Sequence, residues 1–530
     1  MKLNPGSMAK ASSRHPWRTI GIWAVVFMLM GTISGKLLAD VLTSDIAFTN
    51  RPESLQAQQL MEKNVTGKQL DTEFVIVQNQ SVTADDPSFT SYVNGVKAKL
   101  QGLGKGTISA PVSSYFDVAA TSPDQAAAMI SKDKHAVLIS VPIANQDAST
   151  VEKLRTVIPT QPQNGFATLL AGPATANADF TKIAEEDLKK GEGIGLMVAL
   201  IVLIIVFGAL VAALLPISQA LVAIPVALGG VALIGQVVHF NLFVENIVTM
   251  IGLAVGIDYS LFIVARYREE RRKGRDKYEA IFATGGSASR AVFFSGLTVV
   301  IALSGMFIIP TTIFRSMATG AILVVLASIA ASLTLLPALL GLLGDKINWP
   351  RFSKRAHAEG DPDPRGGFWD RVSRSVMSHA VVYLLIGVAI LGSLTAVYFT
   401  IHKGTTQNVS TLPDDVESKQ AFEILAKNFA GGQTQPVQIV IQGDLQSAQV
   451  KTAVESLRTG IGSDSAFSSQ TQVVPGKVAD TEMVNALFAG DPLSSDAINA
   501  VKRLRSDIVP AAFARYSAAP PVSHGASKAT

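Results

Sequence analysis

The sequence contains no cysteine, which excludes a disulfide framework, a thiolate metal site and thiol catalysis. Charge is sparse: 16% of residues are Asp, Glu, Lys or Arg, and between Gly193 and Val244 there is none. Three enzyme signatures are also missing. There is no Gly-x4-Gly-Lys-Ser/Thr phosphate loop, no His-Glu-x2-His and no Gly-x-Ser-x-Gly, so ATP hydrolysis, zinc hydrolysis and serine-hydrolase chemistry have no motif to rest on. The chain reads as a non-enzyme that needs no cofactor and no metal. Its net charge of +4 is small and its basic residues gather beside apolar runs, which is not the stripe expected of a nucleic-acid surface.

What is present is apolar. Hydrophobic residues make up 48% of 530 and the mean hydropathy is +0.33, too apolar for an ordinary soluble protein and in a chain too long for one domain. Apolar runs predict seven membrane helices, at about 19–38, 193–209, 212–237, 247–265, 291–309, 317–343 and 380–401. The first follows a polar start, residues 1–18. Its run is longer than a signal-peptide core and lacks a small-x-small cleavage site, so it reads as an uncleaved helix. The second and third are joined by a tight connection near Phe207-Gly-Ala-Leu210, and the sixth closes on Pro337 and Gly344.

Two polar regions interrupt this pattern. Residues 40–189 carry short strand signals at Phe74–Gln78, Ala136–Pro142 and Ala167–Ala171, with helical patterns at about 88–103 and 149–157 between them, the order of an α+β module. Residues 402–530 form the second region. Residues 344–379, with Asp361-Pro-Asp-Pro-Arg-Gly-Gly367, read as a flexible linker between the helices at 190–343 and the seventh.

The fourth apolar run holds one carboxylate. Between Ile247 and Ala265 the only ionisable side chains are Asp258 and Tyr259. At ~1.5 Å per residue Asp258 lies roughly 16 Å from one end and 10 Å from the other, close to the bilayer centre. An aspartate there costs at least ~2.5 kcal/mol on insertion scales and marks an ion or substrate path by default. Gly252 and Gly256 form a small-xxx-small pair one turn before it, suited to close helix packing. On the next run Ser295 and Thr298 are candidate hydrogen-bond partners of the site, against the commoner habit of bonding their own backbone. Phe262, one turn beyond Asp258, is a candidate path-lining residue, against simple packing. His239 and Glu245 read as solvated interface residues, and Arg266 and Arg268 as anchors that snorkel to the inner interface.

The block Gly252-Leu-Ala-Val-Gly256-Ile-Asp258-Tyr259-Ser-Leu-Phe262-Ile-Val-Ala-Arg266-Tyr-Arg268 closely resembles the fourth transmembrane helix of MMPL (mycobacterial membrane protein large) transporters of the resistance-nodulation-division (RND) superfamily. The resemblance is sharp in motif around 252–270 and 291–299 and extends to nearly the whole chain as architecture. It implies an α-helical membrane bundle with extracytoplasmic α+β, ferredoxin-like porter domains in a duplicated plan. It assigns Asp258 and Tyr259 to a proton relay that drives export of lipids or other amphiphiles across the bacterial inner membrane. The implied partners are the lipid bilayer, protons and a hydrophobic substrate.

Lys/Arg bias agrees with that topology. The N-terminus, the loop from Arg266 to Arg290 and the loop before the seventh helix are all basic, and seven spans put them on one side, which reads as cytoplasmic. Both polar regions then lie outside. The connection at Gly208 is the exception, on the inside without a basic residue of its own.

A repeat runs through the chain. Glu53-Ser-Leu-Gln56-Ala57-Gln-Gln-Leu-Met-Glu-Lys63-Asn64 and Glu417-Ser-Lys-Gln420-Ala421-Phe-Glu-Ile-Leu-Ala-Lys427-Asn428 share six of twelve positions. The spacing that carries Glu53 onto Glu417 also pairs Phe74–Gln78 with Gln438–Gln442, and the first helix with the seventh, as in transporters built from parallel repeats. It carries Asp258 past Thr530, so the resemblance's second Asp-Tyr pair falls outside this sequence. The expectation is therefore a second module that stops before its last strand, a disordered tail from Ala518, and a missing C-terminal or homologous half. The rival reading is a non-transporting sterol- or lipid-sensing module, or an inactive half-transporter that binds partners.

Overall fold

The structure is a computed structural model that describes residues 5–43, 47–67, 70–159, 162–350, 368–399, 409, 412–429, 436–489, 495–514 and 525–527. Residues 351–367 of the expected linker, including Asp361–Gly367, lie outside them. The chain divides into two compact units, residues 1–50 with 187–400 and residues 51–186 with 401–530.

Among the described residues seven helical segments are long and apolar enough to cross a membrane: Pro16–Val41, Pro173–Phe207, Leu210–Gly235, Phe243–Arg272, Lys277–Ile308, Thr312–Asn348 and Ala380–Tyr398. Their ends follow from local chemistry. The helix bearing the second span starts at Pro173, well before the apolar run at Gly193, because proline presets the first helical turn and the polar stretch after it holds good helix formers. Gly208, at φ 64°, takes the left-handed conformation that ends this helix and lets the third begin at Leu210. The sixth span is not the single helix the sequence suggested. It breaks at Thr334 (φ −127°, ψ −59°), since Pro337 has no N–H for the carbonyl of Leu333 and its ring clashes there. The Trp23 indole N–H donates to Thr334 Oγ1 at 2.9 Å and fixes the break, after which a second helix runs Leu335–Leu343.

Small residues set the crossings. A Cβ added at Gly229 would stand 2.6 Å from the Met30 carbonyl oxygen, so the first span lies directly on the third. Gly252 and Gly256 bring the central helix, Phe243–Arg272, equally close to its neighbours: a Cβ at Gly252 would be 2.6 Å from Ile224 and 2.8 Å from Val324, and one at Gly256 2.9 Å from the Ala220 Cβ. Small side chains at a crossing let backbones approach and increase dispersion contact where lipid offers no hydrophobic drive. The third and sixth spans are the most enclosed of the seven, whereas the seventh buries no residue among those described.

The other unit holds two α+β modules. In the first, four antiparallel strands lie in the spatial order Ser113–Ser114, Ala136–Pro142, Thr72–Asn79, Phe166–Ala171. Helices Pro87–Gln101 and Ala148–Val157 bury Phe89, Val93, Leu100, Val151 and Leu154 with Val75, Val77, Ile139 and Val141. The strand Ser113–Ser114 is too short to leave a period-two signal. The second module orders its strands Gly525–Ser527, Val437–Gln442, Thr481–Phe488, Phe467–Pro475, also antiparallel. Gly525–Ser527 corrects part of the expected disordered tail. It pairs with Gln438–Val440, whose outer edge otherwise leaves unpaired N–H and C=O groups.

The repeated helices are exchanged between modules. Helix Glu417–Asn428 sets Ala421, Ile424 and Leu425 on Ile76, Leu138 and Leu169 of the first sheet. Helix Glu53–Asn64 sets Ala57, Leu60 and Met61 on Val440, Val474 and Met483 of the second. Each sheet is thereby covered on both faces, which explains why Phe74-Val-Ile-Val runs apolar without alternation. The repeat's identical residues make equivalent links. The Asn428 carbonyl accepts from Lys132 N–H at 3.0 Å and the Asn64 carbonyl from Lys477 N–H at 2.6 Å. Glu417 pairs with Arg155 at 3.0 Å, and Glu53 approaches Arg505 at 3.9 Å. Burial works against the Arg155 charge, but Asp179 at 2.7 Å and Glu417 outweigh it and hold its pKa above the ordinary value.

Glu73 is a fully buried carboxylate at the start of helix Pro173–Phe207. It accepts from Ala174 N–H at 2.9 Å, Thr175 N–H at 3.0 Å and the Thr175 hydroxyl. Burial raises its pKa above 4.5; the hydrogen bonds to Thr175 and Ala174 oppose the shift, and Asp71 adds to it.

Two outcomes follow from these contacts. Phe429→Ala should cost about 3 kcal/mol and speed amide exchange in Ala136–Pro142, distant in sequence but packed beneath Phe429; unchanged exchange there would rule out the swap. For Glu73 the native state holds its proton to higher pH than the unfolded chain, so its stability penalty is absent below pH 4.5 and complete above the raised native value. The Tm of Glu73→Gln relative to the parent should therefore rise as pH goes from 4 to 8, and parallel Tm curves would contradict the assignment.

Candidate functional site

The central helix has two opposed faces. Val244, Val248, Gly252, Gly256, Ser260, Val264 and Tyr267 are buried, while Met250, Ala254, Asp258, Phe262 and Ala265 are exposed. Spacings of three and four residues keep each set on its own stripe. The glycines take the packed stripe because only they fit against Ala220, Ile224 and Val324. Asp258 falls on the other stripe, uncovered by any described helix, and no described side chain pairs with it by hydrogen bond or ion pair.

Tyr259 lies between the stripes. Its hydroxyl is buried and makes no well-formed hydrogen bond among the described residues, although Ser295 is a polar neighbour. The fifth span approaches here: a Cβ at Gly296 would stand 3.1 Å from the Tyr259 hydroxyl. Ser295 and Thr298 are both exposed. The Thr298 hydroxyl donates to its own backbone at Phe294, at 3.0 Å. The structure thus brings Tyr259 beside Ser295 and Gly296, and brings neither Ser295 nor Thr298 into contact with Asp258. Phe262 is 49% exposed, one turn along the Asp258 stripe.

On the packed stripe lies a polar cluster that the sequence analysis missed. Ser260 Oγ donates to Gln219 Oε1 at 2.5 Å, and Gln219 Nε2 donates to the Ser328 carbonyl at 3.1 Å and to the Ser332 hydroxyl. All four residues are fully buried. Gln219 was a readable signal, an amide in mid-helix within an uncharged tract.

The basic end of the helix also differs from expectation. Arg268 does not simply reach outward: it donates to the Phe207 carbonyl at 2.8 Å and lies over the Phe207 ring. It thus caps the C-terminal end of the second span, where a cation is favoured, and supplies the charge that the Gly208 connection lacks. Arg266 turns to Glu269 at 2.7 Å and to the buried Glu270 at 2.9 Å, which Lys273 and Arg275 also contact. His239 is exposed, beside the two-residue strand Phe240–Asn241. Among the described residues no cluster of His, Asp or Glu is arranged to hold a metal.

Among the described residues seven helices are long and apolar enough to cross a membrane, one of them carrying Asp258, as in a multi-pass membrane protein. The chain belongs to the MMPL family, whose sequence profile matches residues 48–383. It is similar to the mycolic acid-containing lipids exporter MmpL11 of Mycolicibacterium smegmatis, 31% identical over 66% of this chain and 37% of that protein. It is 27% identical to the putative membrane protein SCO6666 of Streptomyces coelicolor, over 83% of this chain and 60% of that one. The trehalose monomycolate exporter MmpL3 of Mycobacterium tuberculosis is also 27% identical, over 81% of this chain and 47% of its own length. The chain therefore spans less than two thirds of the length of each of these relatives.

The packing of the central helix is directly testable. Gly256→Val should place a branched side chain into the Ala220 backbone and destabilise the bundle by about 1–3 kcal/mol, while Ala254→Val on the open stripe should be neutral; thermal unfolding in detergent compares them, and equal losses would contradict the two-faced assignment.

Proposed function

We propose that this chain is the proton-coupled part of an MMPL transporter that exports lipids or other amphiphilic compounds across the bacterial inner membrane. The carrying observation is Asp258, a carboxylate midway along an apolar helix, on the face that no described helix covers. An intramembrane carboxylate needs a polar partner or a water-filled path. The reading supplies both, in a second half whose own central helix faces Asp258. The greater length of the relatives supports that second half. The names of the Mycolicibacterium smegmatis MmpL11 and of MmpL3 support a lipid cargo.

In this mechanism Asp258 takes up a proton from one side and releases it to the other, with Tyr259 and Ser295 relaying through hydroxyls and water. Neutralising Asp258 changes how the open stripe packs against the second half. The two α+β modules act as ferredoxin-like porter domains on the extracytoplasmic side, a reading supported by their strand order, in which the first and third strands are central. The N-terminus then lies in the cytoplasm, as the basic loops favour. No chemical step is required of the protein.

The test is efflux of a lipophilic dye from inverted vesicles under an imposed proton gradient, with the chain joined to a second half. Asp258→Asn should abolish gradient-driven transport in the joined form. Transport that survives it would overturn the relay, and a joined form that binds lipid without moving dye would indicate a sensing module.

A further inference from the structure

We propose that Gln219 is a positioning residue, and that its buried carboxamide holds the Asp258-bearing helix in one of two alternative hydrogen-bonded arrangements. The inference rests on the transport reading for its purpose, though not for its geometry. The carboxamide's orientation is fixed by chemistry. The Ser328 carbonyl can only accept, so the group 3.1 Å from it is Nε2, and Oε1 is the atom that accepts from Ser260. One side chain of the third span thus ties the central helix to the main chain and Ser332 hydroxyl of the sixth.

Two features make this tie switchable. Ser260 has a single hydroxyl proton and two acceptors, Gln219 Oε1 at 2.5 Å and its own helix's Gly256 carbonyl at 2.7 Å. Only one can be served fully at a time. Ser328 meanwhile carries a buried hydroxyl with no hydrogen-bond partner among the described residues, next to the carbonyl that Gln219 already engages. When Ser260 turns its proton to Gly256, the freed Oε1 is open to the Ser328 hydroxyl. The central helix is then released from the third span without leaving a polar group unpaired. A buried donor without a partner is costly, so its retention beside a shared acceptor has a physical use in the second arrangement.

Coupling needs an element with two discrete states that the site can bias. Ser260 is two residues from Asp258 on the opposite stripe, so a shift of the helix on protonation of Asp258 acts directly on the Ser260 bond. The packed glycine at 256 places the Gly256 carbonyl at the same crossing, where the helices touch.

The absence of cysteine allows a direct measurement. Nitroxides on Leu221→Cys and Met250→Cys, both exposed positions on the third span and central helix, report the separation of the two helices by dipolar EPR in liposomes. The parent should show a major and a minor separation. Gln219→Met, close in volume but unable to hydrogen-bond, should enlarge the minor population several-fold. Ser328→Ala should diminish it, and in the joined transporter should lower kcat with KM unchanged. A merely structural cluster predicts a single separation in the parent and an unchanged kcat for Ser328→Ala, since removing an unpaired hydroxyl is neutral or stabilising to a static fold. A separation that neither variant changes overturns the inference. If the variants shift the separation as stated while Asp258→Asn leaves transport intact, the positioning role stands and the proton-coupling reading fails.

Discussion

The membrane-spanning unit depends on how near the central helix comes to the third and sixth spans. In hydrocarbon there is no water to expel between helices, so contact must come from backbones close enough for dispersion and a few buried hydrogen bonds. Gly252 and Gly256 make that approach possible, and Gln219 with Ser260 adds the polar tie at the same crossing. Because this face is committed to packing, helical geometry sends Asp258 to the other. The position of the carboxylate is thus a by-product of where the glycines lie: moving either set by one residue would turn the acid by about 100°.

Much of this was legible in the sequence. Apolar runs located all seven spans, since length and hydropathy are set by bilayer thickness. Gly208 and the Gly252/Gly256 pair announced a turn and a crossing, because each has a backbone requirement that few other residues meet. Three things were not legible. The break at Thr334 arises from a proline three residues later, which in a run so apolar looked like an end rather than an interruption. The role of Arg268 depends on a carbonyl far away in sequence, at Phe207. The Gln219 cluster joins three helices, and no linear pattern ties residue 219 to 260 and 332. What these have in common is that the signal belongs to a pair, and a one-dimensional reading sees only members.

The α+β modules were partly readable for the same reason. Strands and helices within a module leave period-two and helical patterns, but the partner of a strand's second face does not. The unbroken apolar stretch at Phe74–Val77 was the visible trace of a helix from the other repeat, and Glu417, which joined the repeat signature as a mere identity, serves Arg155 and the Leu170 amide. Sequence identity between repeats therefore marked the surfaces they exchange.

The exchange of helices also sets a timetable for the growing chain. The first sheet is complete once Phe166–Ala171 has been made, yet its second cover, Glu417–Asn428, is encoded beyond six further membrane helices. At about 5–20 residues per second, that face waits roughly ten to fifty seconds for its partner. Throughout that interval Ile76, Leu138 and Leu169 stand exposed while hydrophobic segments are being handed to the bilayer. A nascent chain of this design must keep one half-finished surface out of trouble, by holdase binding or by slow docking, until the repeat arrives to close it.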